Sequence, residues 1–226
     1  MPFPFRRQRL QATGPRREST ERDLPQPPLY RSPTFRALVS RLGPDAAHNI
    51  LDLQPAVGAN VEFFSRYSCR LQIVDLLTAI GSPGLQVQLE SEPGAVFRKV
   101  LPRPDEPYDV VLAWEAFNYL AQGQFRALVE HLGGVCRAGA LMLAFIATKR
   151  DIPLSPPLFR IVDEQTLEWQ ERASAARPCP RFPPALVERM TEGFVVVHSV
   201  LMRQGVQEYL FERIAEPASP RQGRRP

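Results

Sequence analysis

The stretch His48-Asn49-Ile50-Leu51-Asp52-Leu53-Gln54-Pro55-Ala56-Val57-Gly58-Ala59-Asn60-Val61-Glu62-Phe63-Phe64 constrains this chain more than any other. A short apolar run, Ile50 to Leu53, carries a single acid and reads as a strand. Small and turn-forming residues follow, Pro55, Ala56, Gly58 and Ala59, and then an apolar-periodic segment with Val61 and Phe64. Strand, tight turn and helix make the first half of a βαβ unit. The turn matters chemically, because the first N–H groups of the helix have no intrahelical partner and can face a ligand.

The alternation continues downstream. Cys69 to Leu76 reads as a second strand ending in an acid, Asp75. Residues 77–107 are broken up by Gly81, Pro83, Gly84, Pro93, Gly94, Pro102, Pro104 and Pro107; a short helix near Gln86–Ser91 and a third strand near Val96–Leu101 are expected there. Val110 to Ala113, inside Tyr108–Leu120, is a continuous apolar run of the kind found in buried parallel strands. Phe125, Leu128, Val129 and Leu132 form an i, i+3, i+4, i+7 stripe on a helix expected to end at Gly133-Gly134. Arg137 to Ile146 then reads as a turn and a fifth strand. Upstream, Phe35, Leu38, Val39 and Leu42 predict a short helix stopped by Gly43-Pro44. Residues 147–192 carry seven prolines and read as a loop-like insertion around a short strand at Thr166–Gln170, followed by a helix at Ala185–Met190. Gly193–Leu201 and Gln207–Ile214, joined by a turn over Met202–Val206, predict an antiparallel hairpin.

The stretch around Asp52 resembles motif I of the class I (Rossmann-like) S-adenosylmethionine-dependent methyltransferases, whose pattern is an acid followed by glycines at alternating positions. The acid falls on Asp52 and the glycine positions on Gln54, Ala56 and Gly58, of which only the last is glycine. The strand at Tyr108-Asp109-Val110-Val111-Leu112-Ala113 and the helix, turn and strand from Phe125 to Ile146 are similar to the family's fourth strand and closing motif. The terminal hairpin is the strongest discriminator, since this family ends its sheet with one and the NAD-binding Rossmann fold does not. A nicotinamide site would also need glycines at Gln54, Ala56 and Ala59. The resemblance implies an α/β fold with a mostly parallel seven-stranded sheet, a C-terminal antiparallel hairpin and helices on both faces. It implies S-adenosylmethionine as cofactor and methyl transfer to an acceptor, small molecule or protein, that the sequence does not identify.

Under that resemblance the cofactor-binding positions are Asp52, Gln54, Ala56, Gly58, Asn60, Asp75, Leu76 and Trp114. Asp75 lies 21 residues after Gln54, close to the offset of about 20 at which Rossmann-type folds place the carboxylate that accepts the ribose hydroxyls; it also reads as an ordinary strand-end acid. Gln54 adds a long side chain where glycine permits close approach. It can fill the methionine site, or hydrogen-bond the cofactor's carboxylate. Methyl transfer needs alignment above all, and a base only where the acceptor must lose a proton. Glu115, Asn118 and Tyr119 are candidate catalytic residues at the pocket mouth; Glu115 would be the base, while Trp114 or Tyr119 would pack on the adenine or a substrate ring, or simply in the core. No Asn-Pro-Pro-Tyr box points to methylation of DNA bases. The alternative to an enzyme is a non-catalytic protein of the same fold that binds a partner, with Gln54 plugging the pocket.

Composition narrows the rest. At 226 residues and 44% hydrophobic content the chain suits one domain, expected over 35–215 with 147–192 as an insertion on the substrate side. Residues 1–34 hold seven arginines (6, 7, 9, 16, 17, 22 and 31) against Glu18, Glu21 and Asp23; residues 216–226 hold Arg221, Arg224 and Arg225 against Glu216. The net charge of +4 therefore belongs to the tails, which are expected to be disordered. Such tails can hold nucleic acid or acidic lipid non-specifically or remain solvated, and no aromatics interleave with a basic face to give a specific nucleic-acid signal. Cys69, Cys136 and Cys179 are far apart, and His48, His131 and His198 form no cluster with them, so no disulfide framework or metal site is indicated. The N-terminal stretch shows charge without a following apolar region, and no apolar run approaches the roughly 20 residues of a membrane span. A cytoplasmic protein is the expectation.

Overall fold

The computed structural model describes residues 28–43, 46–172 and 175–215. In chain order its elements are β1 (Leu29–Arg31), α1 (Pro33–Val39), β2 (His48–Asp52), α2 (Gly58–Phe64), β3 (Cys69–Ile73), α3 (Leu76–Ile80), α4 (Pro83–Ser91) and α5 (Pro93–Val100). There follow β4 (Tyr108–Trp114), a 3-10 turn (Ala116–Tyr119), α6 (Gln122–Val135), β5 (Cys136–Ala147), β6 (Asp151–Pro153), β7 (Leu158–Ile161), β8 (Thr166–Gln170), β9 (Ala176–Pro178), α7 (Pro184–Met190), β10 (Phe194–Met202) and β11 (Val206–Arg213).

Six strands form the central sheet in the order β3-β2-β4-β5-β11-β10. β2 runs parallel to β3 and β4, and β4 runs parallel to β5. β11 is antiparallel to both β5 and β10, so the expected terminal hairpin closes one edge and makes the sheet mixed. Side chains alternate across the sheet with period two. Leu51, Val111, Met142 and Phe211 face the side covered by α3, α5, α6 and α7, where Leu76, Phe97, Phe125, Leu128 and Val187 pack. Ile50, Val110, Leu112, Leu143 and Leu210 face the side where α1 and α2 contribute Phe35, Leu38, Phe63 and Phe64. Phe159, Ile161, Leu167 and Trp169, from the insertion, complete that second core.

The structure differs from the sequence reading at four places. Val96–Leu101, expected as a third strand, is the end of α5 and the residue beyond it. Pro93 opens that helix, and Val96 and Phe97 are buried while Arg98 and Lys99 face solvent, the pattern of an amphipathic turn rather than a strand. The sheet accordingly has six strands, not seven, and β3 is its edge. Helix α6 runs through Gly133-Gly134 to Val135 and meets β5 directly; the turn expected before the fifth strand is an irregularity within β5, where Gly139 takes φ +80° and the register with β4 shifts. The insertion is more ordered than its prolines suggest. It holds β6 paired with β9, and β7 paired with β8. β8 also pairs with β1, so residues 28–34, assigned by composition to the basic tail, form a strand and the start of α1. The rest of both tails lies outside the described residues.

Candidate functional site

The parallel register sets Asp52 beside Ile73 of β3 and Leu112 of β4, so the C-terminal ends of the three strands lie together. This is the edge of an open α/β sheet where ligands bind. At its centre Asp52 is 1% exposed. Its Oδ1 accepts hydrogen bonds from Trp114 Nε1 (2.7 Å) and from the Gln54 backbone N–H (3.2 Å). Burial pushes its carboxyl up to about 7, against the opposing pull of those donors. Trp114, the last residue of β4, holds φ +48°, a left-handed conformation that costs a bulky residue on the order of 1–3 kcal/mol. The turn aims its indole at Asp52 and lays its ring parallel to Phe159, with centroids 5.2 Å apart and planes 4° apart. Phe145 meets the same indole edge-on at 5.8 Å.

Gln54 and Asn60 flank this cluster and are 6% and 1% exposed. Both turn their amides toward β7. Gln54 Nε2 donates to the Phe159 carbonyl (2.8 Å), and Gln54 Oε1 accepts from the Phe159 N–H (3.1 Å). Asn60 Nδ2 donates to the same carbonyl (2.9 Å), while Asn60 Oδ1 accepts from the Ile161 N–H (2.8 Å). The remaining candidates lie apart from this group. Ala56 is exposed in the turn, and Gly58, also exposed, opens α2 with open space where a Cβ would stand. Asp75 is half-buried and caps α3, its Oδ1 accepting from the Thr78 N–H (3.1 Å). Leu76 is buried on the opposite side of the sheet.

Beyond β4, Glu115 is 3% exposed, and burial pushes its carboxyl up to about 7. It lines a cavity of about 10 Å³ with Tyr30, Phe159, Trp169 and Glu208, room for one water-sized group. Glu208 is held on one oxygen by the Ser32 and Thr34 hydroxyls. Asn118 donates to the Phe145 carbonyl (3.1 Å) and accepts from the Ala147 N–H (3.0 Å), which ties the 3-10 turn to β5. The Tyr119 hydroxyl donates to the Pro153 carbonyl (3.0 Å), and Arg177 stands over its ring.

The structure thus ties Gln54 and Asn60 to the backbone, and Trp114 to the ring, of one residue that the sequence reading left in a loop, Phe159, with Asp52 held by Trp114 and Gln54. Its signal was the alternation Leu158-Phe159-Arg160-Ile161, four residues before the strand expected at Thr166–Gln170, which together read as a hairpin. S-adenosylmethionine, the group implied by the resemblance, does not fit this arrangement. Both amides at the motif are spent on β7, the Phe159 ring covers the indole, and Asp52 is sealed beneath them.

Among the described residues no group of three or more His, Cys, Asp or Glu is placed to hold a metal, and no helix is long and apolar enough to cross a membrane. No protein-family model and no curated protein matches the chain. Among solved structures it is similar to the glycopeptide N-methyltransferase MtfA complexed with S-adenosyl-L-homocysteine, at 15% identity over 79% of this chain and 88% of that one, with a TM-score of 0.44. It is also similar to the Burkholderia thailandensis 1,6-didemethyltoxoflavin-N1-methyltransferase (11% identity, 81% and 77% covered, TM-score 0.48). A third is an S-adenosylmethionine-dependent methyltransferase from Clostridium acetobutylicum (9% identity, 80% and 88% covered, TM-score 0.48). With β11 reversed between β5 and β10, and helices on both faces, the chain has a methyltransferase-like α/β fold with a mixed six-stranded sheet.

Proposed function

We propose that the protein is an S-adenosylmethionine-dependent methyltransferase acting on an unidentified acceptor, and that the closed arrangement at β2 must open for it to work. One observation carries the reading: the sheet order brings the ends of β2, β3 and β4 together and leaves an acid at each, Asp52, Asp75 and Glu115. Asp75 is the most available of the three, because it is half-buried and only its Oδ1 is engaged. Glu115, with its carboxyl near 7, suits a base working around neutral pH. In this reading the domain spans 35–215, extended by β1, the 147–192 insertion lies over the acceptor side, and the protein works in the cytoplasm.

A second reading is favoured by the hydrogen bonds of Gln54 and Asn60 to β7. In it the site never opens, and the fold serves as a non-catalytic module that binds a partner. Isothermal titration with S-adenosylmethionine and S-adenosylhomocysteine separates the two. Saturable binding by the wild type, weakened at least tenfold by Asp75→Ala, supports the enzyme. Silence in the wild type with binding gained in Gln54→Gly supports the partner-binding module, and silence in both removes the enzyme reading.

A further inference from the structure

We propose that the end of β2 is a receptor for an extended peptide strand of the pattern aromatic-x-aliphatic, and that β7 occupies it in cis in the place of a nucleoside cofactor. The identity of what the strand displaces rests on the methyl-transfer reading; the strand's seat rests on its own contacts.

β7 is an edge strand, since its sheet has the order β1-β8-β7. At Phe159, opposite Trp169 in the register, the backbone N–H and C=O turn away from β8. An edge strand with unpaired backbone groups ordinarily pairs with another strand. Here two side-chain amides replace that strand. A primary amide offers the same carbonyl and N–H as a peptide group, and Gln54 presents both to a single residue. Asn60 spans the next interval, from the Phe159 carbonyl to the Ile161 N–H. Three consecutive backbone groups on that edge are thereby satisfied by four bonds.

Side chains are read as well as backbone. The Phe159 ring enters an aromatic slot made by Trp114, Phe145 (5.0 Å, edge-on) and Trp169 (6.4 Å). Ile161 is buried in the same core, while Arg160 between them points outward to an ion pair with Glu168 (2.8 Å). Backbone pairing with pockets for alternate side chains is how proteins recognise an added strand. The residue that departs most from the glycine pattern, Gln54, is also the one that pairs with both backbone groups of Phe159. A glycine there would leave the Phe159 N–H buried without a partner, and the carbonyl with Asn60 alone.

Amide hydrogen exchange of the full chain, resolved at Phe159 and Ile161, tests the seat without any cofactor. Both amides are expected to be protected in the wild type. Gln54→Leu, which keeps the bulk and loses the bonds, should speed exchange at Phe159 at least tenfold and leave Val110–Leu112 in the central strand unchanged. Equal exchange at Phe159 in the two proteins overturns the proposal. A second arm adds the peptide acetyl-Pro-Pro-Leu-Phe-Arg-Ile-amide to Phe159→Gly, whose own strand lacks the ring. Binding of this peptide, lost when its Phe is replaced by Ala, supports the receptor; equal binding of both peptides, or of neither, overturns it. S-adenosylmethionine is then titrated into the same proteins. Amides released by Gln54→Gly without cofactor binding leave the strand seat standing and remove the methyl-transfer reading. Cofactor binding to the wild type with both amides still protected removes the seat as its competitor and leaves methyl transfer standing.

Discussion

The turns after β2 and β3 begin alike, with an acid at a strand end and a short helix beyond, and they end in opposite states. Asp52 is sealed under Trp114 and the β7 strand, with its carboxyl raised to about 7. Asp75 stays half-open and does no more than cap a five-residue helix. The strands are neighbours in one parallel ladder, β2 inside the sheet and β3 at its edge. The difference comes from what lies above them, since the insertion seats Phe159 over β2 and leaves the end of β3 uncovered. An acid at a strand end marks where a site can form, and the packing over it decides whether the site is open.

Four perturbations sharpen or break that contrast. The largest effect is expected from Phe159→Ala, which empties the slot between two tryptophans; loss of a buried phenylalanine ring typically costs 3–5 kcal/mol, and at about 2–4 °C per kcal/mol for a chain of this size the fall in Tm is plain in a thermal melt. A loss below about 1 kcal/mol would mean that the slot is not closed by this ring.

Next comes pH. Asp52 and Glu115 are raised in the folded chain to about 7, both chiefly by burial, and the unfolded chain releases these protons near the ordinary carboxylate range. The folded state therefore binds more protons between those values. Its stability is full below the unfolded pKa and is lost as pH rises through about 7. Thermal melts from pH 5 to pH 8 should show a falling Tm, and Asp52→Asn should flatten part of the slope.

Gln54→Leu follows, expected to cost about 1–3 kcal/mol by leaving the buried Phe159 N–H unpaired, while its carbonyl keeps Asn60; urea denaturation checks it. The smallest effect belongs to Asp75→Ala, about 1 kcal/mol or less for loss of a half-buried helix cap, with the near-ultraviolet circular dichroism of Trp114 and Trp169 unchanged.

Much of the architecture was legible in residue pattern. The run Val110–Ala113, the stripe Phe125–Leu132 and the alternation in the terminal hairpin each settle into the element their period predicts. Where a short segment served two periods, the reading failed. Val96–Leu101 is apolar enough for a strand, but Pro93 and the burial of Val96 and Phe97 make it a helix. The site was legible in part. Gln54 stands out in sequence as a long side chain at a glycine position, and in the structure that side chain is buried. What it touches was hidden, because Phe159 lies 105 residues away, in a segment whose prolines mask three short strands, β6, β7 and β9. No local rule links an amide in one turn to a backbone edge so distant; only the closure of the tertiary fold does.

The most direct measurement compares the affinity of S-adenosylmethionine for the wild type and for Gln54→Gly under one set of conditions. If β7 holds the end of β2 closed, Gln54→Gly binds at least tenfold more tightly than the wild type. Equal affinities, or tighter binding by the wild type, would show that the cofactor and the strand do not compete for this place.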